Sequence, residues 1–109
     1  MLLITFLFGG TAKAQAGWSK PVKIASVEAS NTVGPNVYLT FTSAPFPNHN
    51  CSNKHGSYRL GGGDANVNQM TLLATAALIN SRNVAVYWSG GCDSGGTNGY
   101  PILVGLILK

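Results

Sequence analysis

Apolar residues fall at helical spacing along one long stretch of the chain. Val67 to Arg82 contains no Gly or Pro, and Met70, Leu73, Ala74 and Ala77 recur at the i, i+3, i+4, i+7 spacing of a buried helical face. Leu72, Ala76 and Ile79 form a second apolar stripe, so that only the line Asn68, Thr71, Thr75, Arg82 is polar. A helix apolar on most of its circumference is covered on more than one side, by a sheet and by a further chain. Asn66 is placed to cap its start, with Gln69 three residues on as the reciprocal partner, and Asn83 is suited to the left-handed conformation that ends it.

The rest of the chain carries the pattern of strands. Val22 to Ala29 is rich in β-branched residues and alternates in part, and the Gly-Pro signal within Asn31 to Asn36 stops it. Val37, Leu39 and Phe41 alternate with Tyr38, Thr40 and Thr42, which predicts a half-buried strand forming a hairpin with the first. Ala44 to Asn50 holds two prolines, each removing a ladder donor, and reads as a loop; His49 and His55 read as surface histidines. Ser57 to Leu60 is a short third strand, and Gly61-Gly62-Gly63 a turn. Val84 to Trp88 is a fourth strand, Ser89 to Pro101 a Gly-rich loop, and Ile102 to Leu108 a last strand, apolar at every position but Gly105. The order is β-β-β-α-β-β. In a single domain spanning 17–109 it predicts a mainly β protein, an OB-fold-like five-stranded barrel with one helix between its third and fourth strands.

Composition changes this picture at the N-terminus. Met1 to Phe8 is almost wholly apolar, Gly9 and Gly10 break the run, and Ala14-Gln15-Ala16 has the small-x-small pattern of a signal-peptidase site. Residues 1–16 read as a signal peptide. The apolar run is shorter than the roughly 20 residues a membrane span requires, so no span is expected after cleavage, and the chain is placed in the periplasm or outside the cell. The 109-residue sequence has two cysteines, Cys51 and Cys92. In an oxidising compartment they are expected to pair, closing a loop of about 40 residues and stabilising the fold by roughly 2–5 kcal/mol. The alternative is a reactive Cys51 thiol flanked by the two histidines.

Charge narrows the function classes. From Gly17 onward, six basic side chains (Lys20, Lys23, Lys54, Arg59, Arg82, Lys109) face three acidic ones (Glu28, Asp64, Asp93). They are scattered, without the basic stripe and neighbouring aromatic platforms of a nucleic-acid site. Cys92-Asp93-Ser94-Gly95-Gly96 looks like the nucleophile motif of trypsin-like proteases, with His49 or His55 and Asp64 upstream, but that site is built between two barrels and one domain supplies only one. His49, Cys51, His55 and Asp93 lack the paired spacing of a structural metal site. Neither an enzyme, a metal nor another cofactor is expected. A more useful set lies in and beside the loop after the fourth strand. There Asp93, Ser94, Thr97 and Asn98 stand between Trp88 and Tyr100, hydrogen-bonding groups next to rings that could stack on a sugar, with core packing as the competing role for both rings.

The segment LLATAALINSRNVAVYW, with Gly99-Tyr100-Pro101 and Val104-Gly105-Leu106 after it, resembles the helix-to-last-strand half of small secreted bacterial proteins, among them binding subunits of subtilase-cytotoxin and typhoid-toxin type. The resemblance covers about forty residues. It implies a ring of five subunits that binds sialylated glycans and accompanies an exported enzyme, and it assigns no individual sugar contact in this chain. The expected function is therefore an exported binding module, in its more specific form a glycan-binding toxin-type subunit. The alternative is an exported structural or inhibitory protein with no small ligand, and a hydrolase comes third.

Overall fold

The computed structural model describes residues 16–30, 36–52, 56–93 and 99–109. The signal-peptide expectation falls almost wholly outside them. The elements are β1 (Gly17–Trp18), β2 (Val22–Ser30), β3 (Asn36–Phe41), β4 (Tyr58–Leu60), α1 (Asp64–Ile79), β5 (Asn83–Cys92) and β6 (Pro101–Leu108). β2 pairs antiparallel with β3, β3 with β4, and β6 with β5, while β4 runs parallel to β6 and β5 returns to β2. The sheet thus closes in a ring, β2-β3-β4-β6-β5, with the helix between its third and fourth strands, as the OB-fold order requires. β1 is an addition to the expected plan. It continues the β2 edge along β5, Trp18 opposite Tyr87 and Lys23 opposite Asn83, and is separated from β2 by Pro21, which has no N–H to give a ladder. Ser19 bridges the gap, its N–H donating to the Val86 carbonyl at 2.8 Å and its Oγ accepting from the Val86 N–H at 3.0 Å.

The strand pairings contain three register shifts, between Ile24 and Ser26, between Tyr87 and Trp88 and between Trp88 and Cys92, and the first two explain why the strands alternate only in part. Ile24 pairs with Phe41 but Ser26 with Thr40, which leaves Ala25 as an extra residue; Val22 and Ile24 face inward before it, Val27 after it. Tyr87 pairs with Gly105 but Trp88 with Leu103, so Val104 is the extra residue in β6, with Pro101 and Leu103 inward before it and Leu106 after. Each bulge bends its strand, and a short sheet needs such bends to close on itself. Gly105 also gives Trp18 its seat. A Cβ there would lie 3.1 Å from the indole, which packs edge-on to Tyr87 at 5.3 Å between ring centroids.

The helix covers one side of the core with Met70, Ala74 and Ala77, packing against β2, β5 and β6. Its start differs from expectation. Gly63, at φ 97°, takes the N-cap position without a side-chain cap, and the helix opens at Asp64. Asn66 lies inside the first turn and instead donates through Nδ2 to the Gly61 carbonyl at 2.9 Å and the Val104 carbonyl at 3.1 Å, tying helix, turn and β6 together. At the other end the helix stops at Ile79, Ser81 takes the positive φ of 53°, and Asn83 is already in the ladder, its carbonyl accepting from Lys109 N–H. Leu73 lies at the margin of the packed face and is exposed, and Leu72 and Ile79 project to solvent.

The proline-containing segment after β3 is more than a connection. Phe46 packs on Trp88 at 5.5 Å and on Tyr58 at 6.4 Å, and His49, expected at the surface, is buried edge-on to Tyr58 at 5.8 Å and Trp88 at 6.2 Å. These rings also satisfy backbone groups that no ladder reaches. Tyr58 hydroxyl accepts from the Phe46 N–H and donates to the Phe46 carbonyl, both at 3.4 Å, and His49 Nδ1 accepts from the Cys51 N–H at 3.2 Å. Cys51 is bonded to Cys92 with Cα atoms 5.6 Å apart, which excludes the reactive-thiol alternative.

Candidate functional site

Alternation puts Tyr58 and Leu60 inside the barrel and leaves Arg59 outside; likewise Leu39 is inside and Tyr38 outside. Registry then makes them neighbours, because Tyr38 sits opposite Arg59, and Arg59 opposite Ile102 of β6. The base of the loop between β5 and β6 completes the group. Tyr100 packs on Tyr38 with centroids 4.9 Å apart and planes tilted by 59°, and Asp93 Oδ2 lies 3.1 Å from Arg59 Nη1.

Three constraints hold the base of that loop. The disulfide anchors Cys92, the Asp93 N–H donates to the Tyr100 carbonyl at 2.6 Å, and the Gly99 N–H donates to Ser52 Oγ at 3.0 Å. The Arg59 and Asp93 side chains retain 34% and 16% of their exposure, so the pair is reachable from solvent yet shielded enough to keep its geometry. Burial raises the Tyr38 hydroxyl pKa above its usual value, Arg59 opposes that shift, and Asp93 and Tyr100 add to it. The hydroxyl is thus a neutral donor and acceptor at physiological pH.

Of the residues expected at a ligand surface, the structure brings Asp93 and Tyr100 together and removes Trp88. The Trp88 indole is only 2% exposed, packed on Phe46 and His49, with Nε1 donating to the Gly91 carbonyl at 2.9 Å, so it has no face to offer a ligand. Ser94, Thr97 and Asn98 lie outside the described residues. The expected loop is also shorter than predicted, because β5 runs on to Cys92 and β6 begins at Pro101. Tyr38 and Arg59 are the residues that sequence reasoning missed. Their outward parity was readable from the strand patterns, but their adjacency depends on the pairing of β3 with β4.

Among the described residues no three of His, Cys, Asp and Glu gather as metal ligands, and no helix is long and apolar enough to cross a membrane. The imagined metal set loses Cys51 to the disulfide, and His55 lies outside the described residues. In comparison with known proteins, the chain matches no family model and no curated protein.

Proposed function

We propose that this protein is an exported binding module that takes a glycan on the Tyr38–Arg59–Asp93–Tyr100 surface. The observation that carries the reading is the two-tyrosine ledge with a charged pair at its side. Tyrosine rings accept the C–H face of a pyranose, while the guanidinium, the carboxylate and the tyrosine hydroxyls hydrogen-bond its hydroxyl groups. The location supports it as well. OB-folds bind oligosaccharides on the face of their second and third strands and the loops beside it, and here Tyr38 is on the second barrel strand, Arg59 on the third, and Asp93 and Tyr100 flank the loop between the fourth and fifth. Export is supported by the disulfide. The more specific version, a toxin-type subunit that accompanies an exported enzyme, rests on the strand order and on the resemblance of the helix-to-last-strand half.

A glycan array probed with the purified protein, then with Tyr38→Ala and Tyr100→Ala, tests the reading. Reproducible binding that both substitutions abolish, with the melting temperature little changed, is the expected result. Binding that survives both moves the site elsewhere on the barrel. An array without a reproducible hit favours the structural or inhibitory role.

A further inference from the structure

The outward face of β2, β3 and β4 carries more anion than cation. The alternation that turns Val27 toward the core turns Ser26 and Glu28 away from it, and registry sets Glu28 opposite Tyr38, Tyr38 opposite Arg59, and Ser26 opposite Thr40. Ser26 Oγ and Thr40 Oγ1 lie 2.6 Å apart, and Ser26 Oγ donates to Glu28 Oε2 at 3.5 Å. The Tyr38–Arg59–Asp93–Tyr100 ledge therefore continues onto β2 as a row of hydrogen-bonding groups. Its charged members are two carboxylates, Glu28 and Asp93, and one guanidinium, which Asp93 already holds at 3.1 Å. The cations of the rest of the barrel are placed elsewhere. Arg82 donates to the Lys109 carbonyl near the start of β5, about 30 Å of strand from Asp93. Lys23 stands roughly 15 Å along β2 from Glu28 and donates to the Ser81 carbonyl, beyond the roughly 8 Å at which physiological salt screens a surface charge.

We infer that this surface takes neutral, hydroxyl-rich saccharides and turns acidic ones away, an inference that rests on the glycan reading proposed above. A sugar hydroxyl both donates and accepts. The Arg59 fork, with one nitrogen on Asp93, keeps N–H donors for hydroxyl oxygens, and the carboxylates of Glu28 and Asp93 are acceptors for hydroxyl protons. Donor and acceptor 3.1 Å apart suit two neighbouring hydroxyls of one ring. A carboxylated sugar meets a different balance. Its anion has Arg59 as the cation at hand, whose charge Asp93 already offsets, and reaching it brings a third negative charge beside Asp93 and Glu28. The ligand class so assigned differs from the sialylated one that the resemblance of the helix-to-last-strand half implies.

Matched glycan pairs test this: a galactose-terminated chain against the same chain capped by sialic acid, and a glucoside against the corresponding glucuronide, each immobilised and titrated with the purified protein. The expected result is a preference for the neutral member by about tenfold or more. Glu28→Gln and Asp93→Asn should each narrow that preference by about threefold, and the double variant more. Glu28 is exposed, so its variant should melt with the parent. High salt, which screens repulsion, should narrow the preference in the unaltered protein by improving the acidic member alone. Tighter binding of the acidic member, equal binding of both, or a preference that neither salt nor Glu28→Gln changes overturns the inference and leaves the glycan site standing. A protein that binds neither member of any pair overturns the glycan reading, and the inference with it.

Discussion

The core is flanked on one side by the helix and on another by the irregular segment around Phe46, and the two are secured by opposite means. The helix satisfies its own backbone, so a thin contact suffices. Met70 and two alanines bring it close to β2 and β6. The Phe46–Cys51 segment has no ladder of its own. It depends on large rings in the core, on Tyr58 and His49 as stand-ins for backbone partners, and on the Cys51–Cys92 bond. An irregular segment whose polar backbone groups are buried needs such partners, whereas a helix brings them with it. The segment's anchorage also reaches the candidate site, because the disulfide that holds it fixes Cys92 beside Asp93.

The largest expected effect tests the ring-built side. Trp88→Ala removes the indole that Phe46 and His49 pack against and leaves a cavity, costing about 3–5 kcal/mol. Chemical denaturation should show the unfolding free energy drop by that amount, and a loss under about 1 kcal/mol would mean the rings are not what holds the segment. On the helix side, Ala74→Leu forces added volume into a fully buried contact and should cost roughly 1–3 kcal/mol, whereas Leu72→Gln on the outer face should stay within about 0.5 kcal/mol at dilute protein. Equal effects at the two positions would erase the distinction between the faces.

The smallest effect is a change of shape with pH. Burial raises the Tyr58 hydroxyl above its usual pKa of 10.0, against a lowering by the Phe46 N–H. The folded state therefore holds that proton more tightly than the unfolded state does. The stability this contributes is fully present below the unfolded value and is lost as pH rises through the folded one. Tyr38 is shifted in the same direction and adds to the loss. Tyr58→Phe should cost about 1 kcal/mol at neutral pH, since its two hydrogen bonds are long, and should make the alkaline fall in melting temperature shallower. An alkaline limb that is unchanged by Tyr58→Phe would place its origin elsewhere.

Most of the fold could be read from local patterns, and the misses share one cause. The five barrel strands and the helix were readable because alternation and 3.6-residue periodicity are local consequences of backbone geometry. Ala25 and Val104 were not readable as bulges, because a bulge is defined by the partner strand. Leu73 and Leu72 look alike in the sequence, and only the angle at which α1 meets β2 and β6 makes both solvent-facing. His49 and Phe46, in a segment with two prolines, looked like surface loop, and only the barrel around them shows that they are core.

The same division runs through the site. Local chemistry determined that Cys51 and Cys92 were suited to pair, that Asp93 and Tyr100 flanked a Gly-rich loop, and that one small barrel with a helix was the economical architecture for this order of elements. Tertiary structure decided which ring is free to meet a ligand. Trp88 and Tyr100 are both aromatic neighbours of that loop, but the inward parity of β5 buries the first among Phe46 and His49, while β3 brings Tyr38 to the second. Which residues meet across a barrel is set by strand register, a relation between segments distant in sequence that no single stretch of chain encodes.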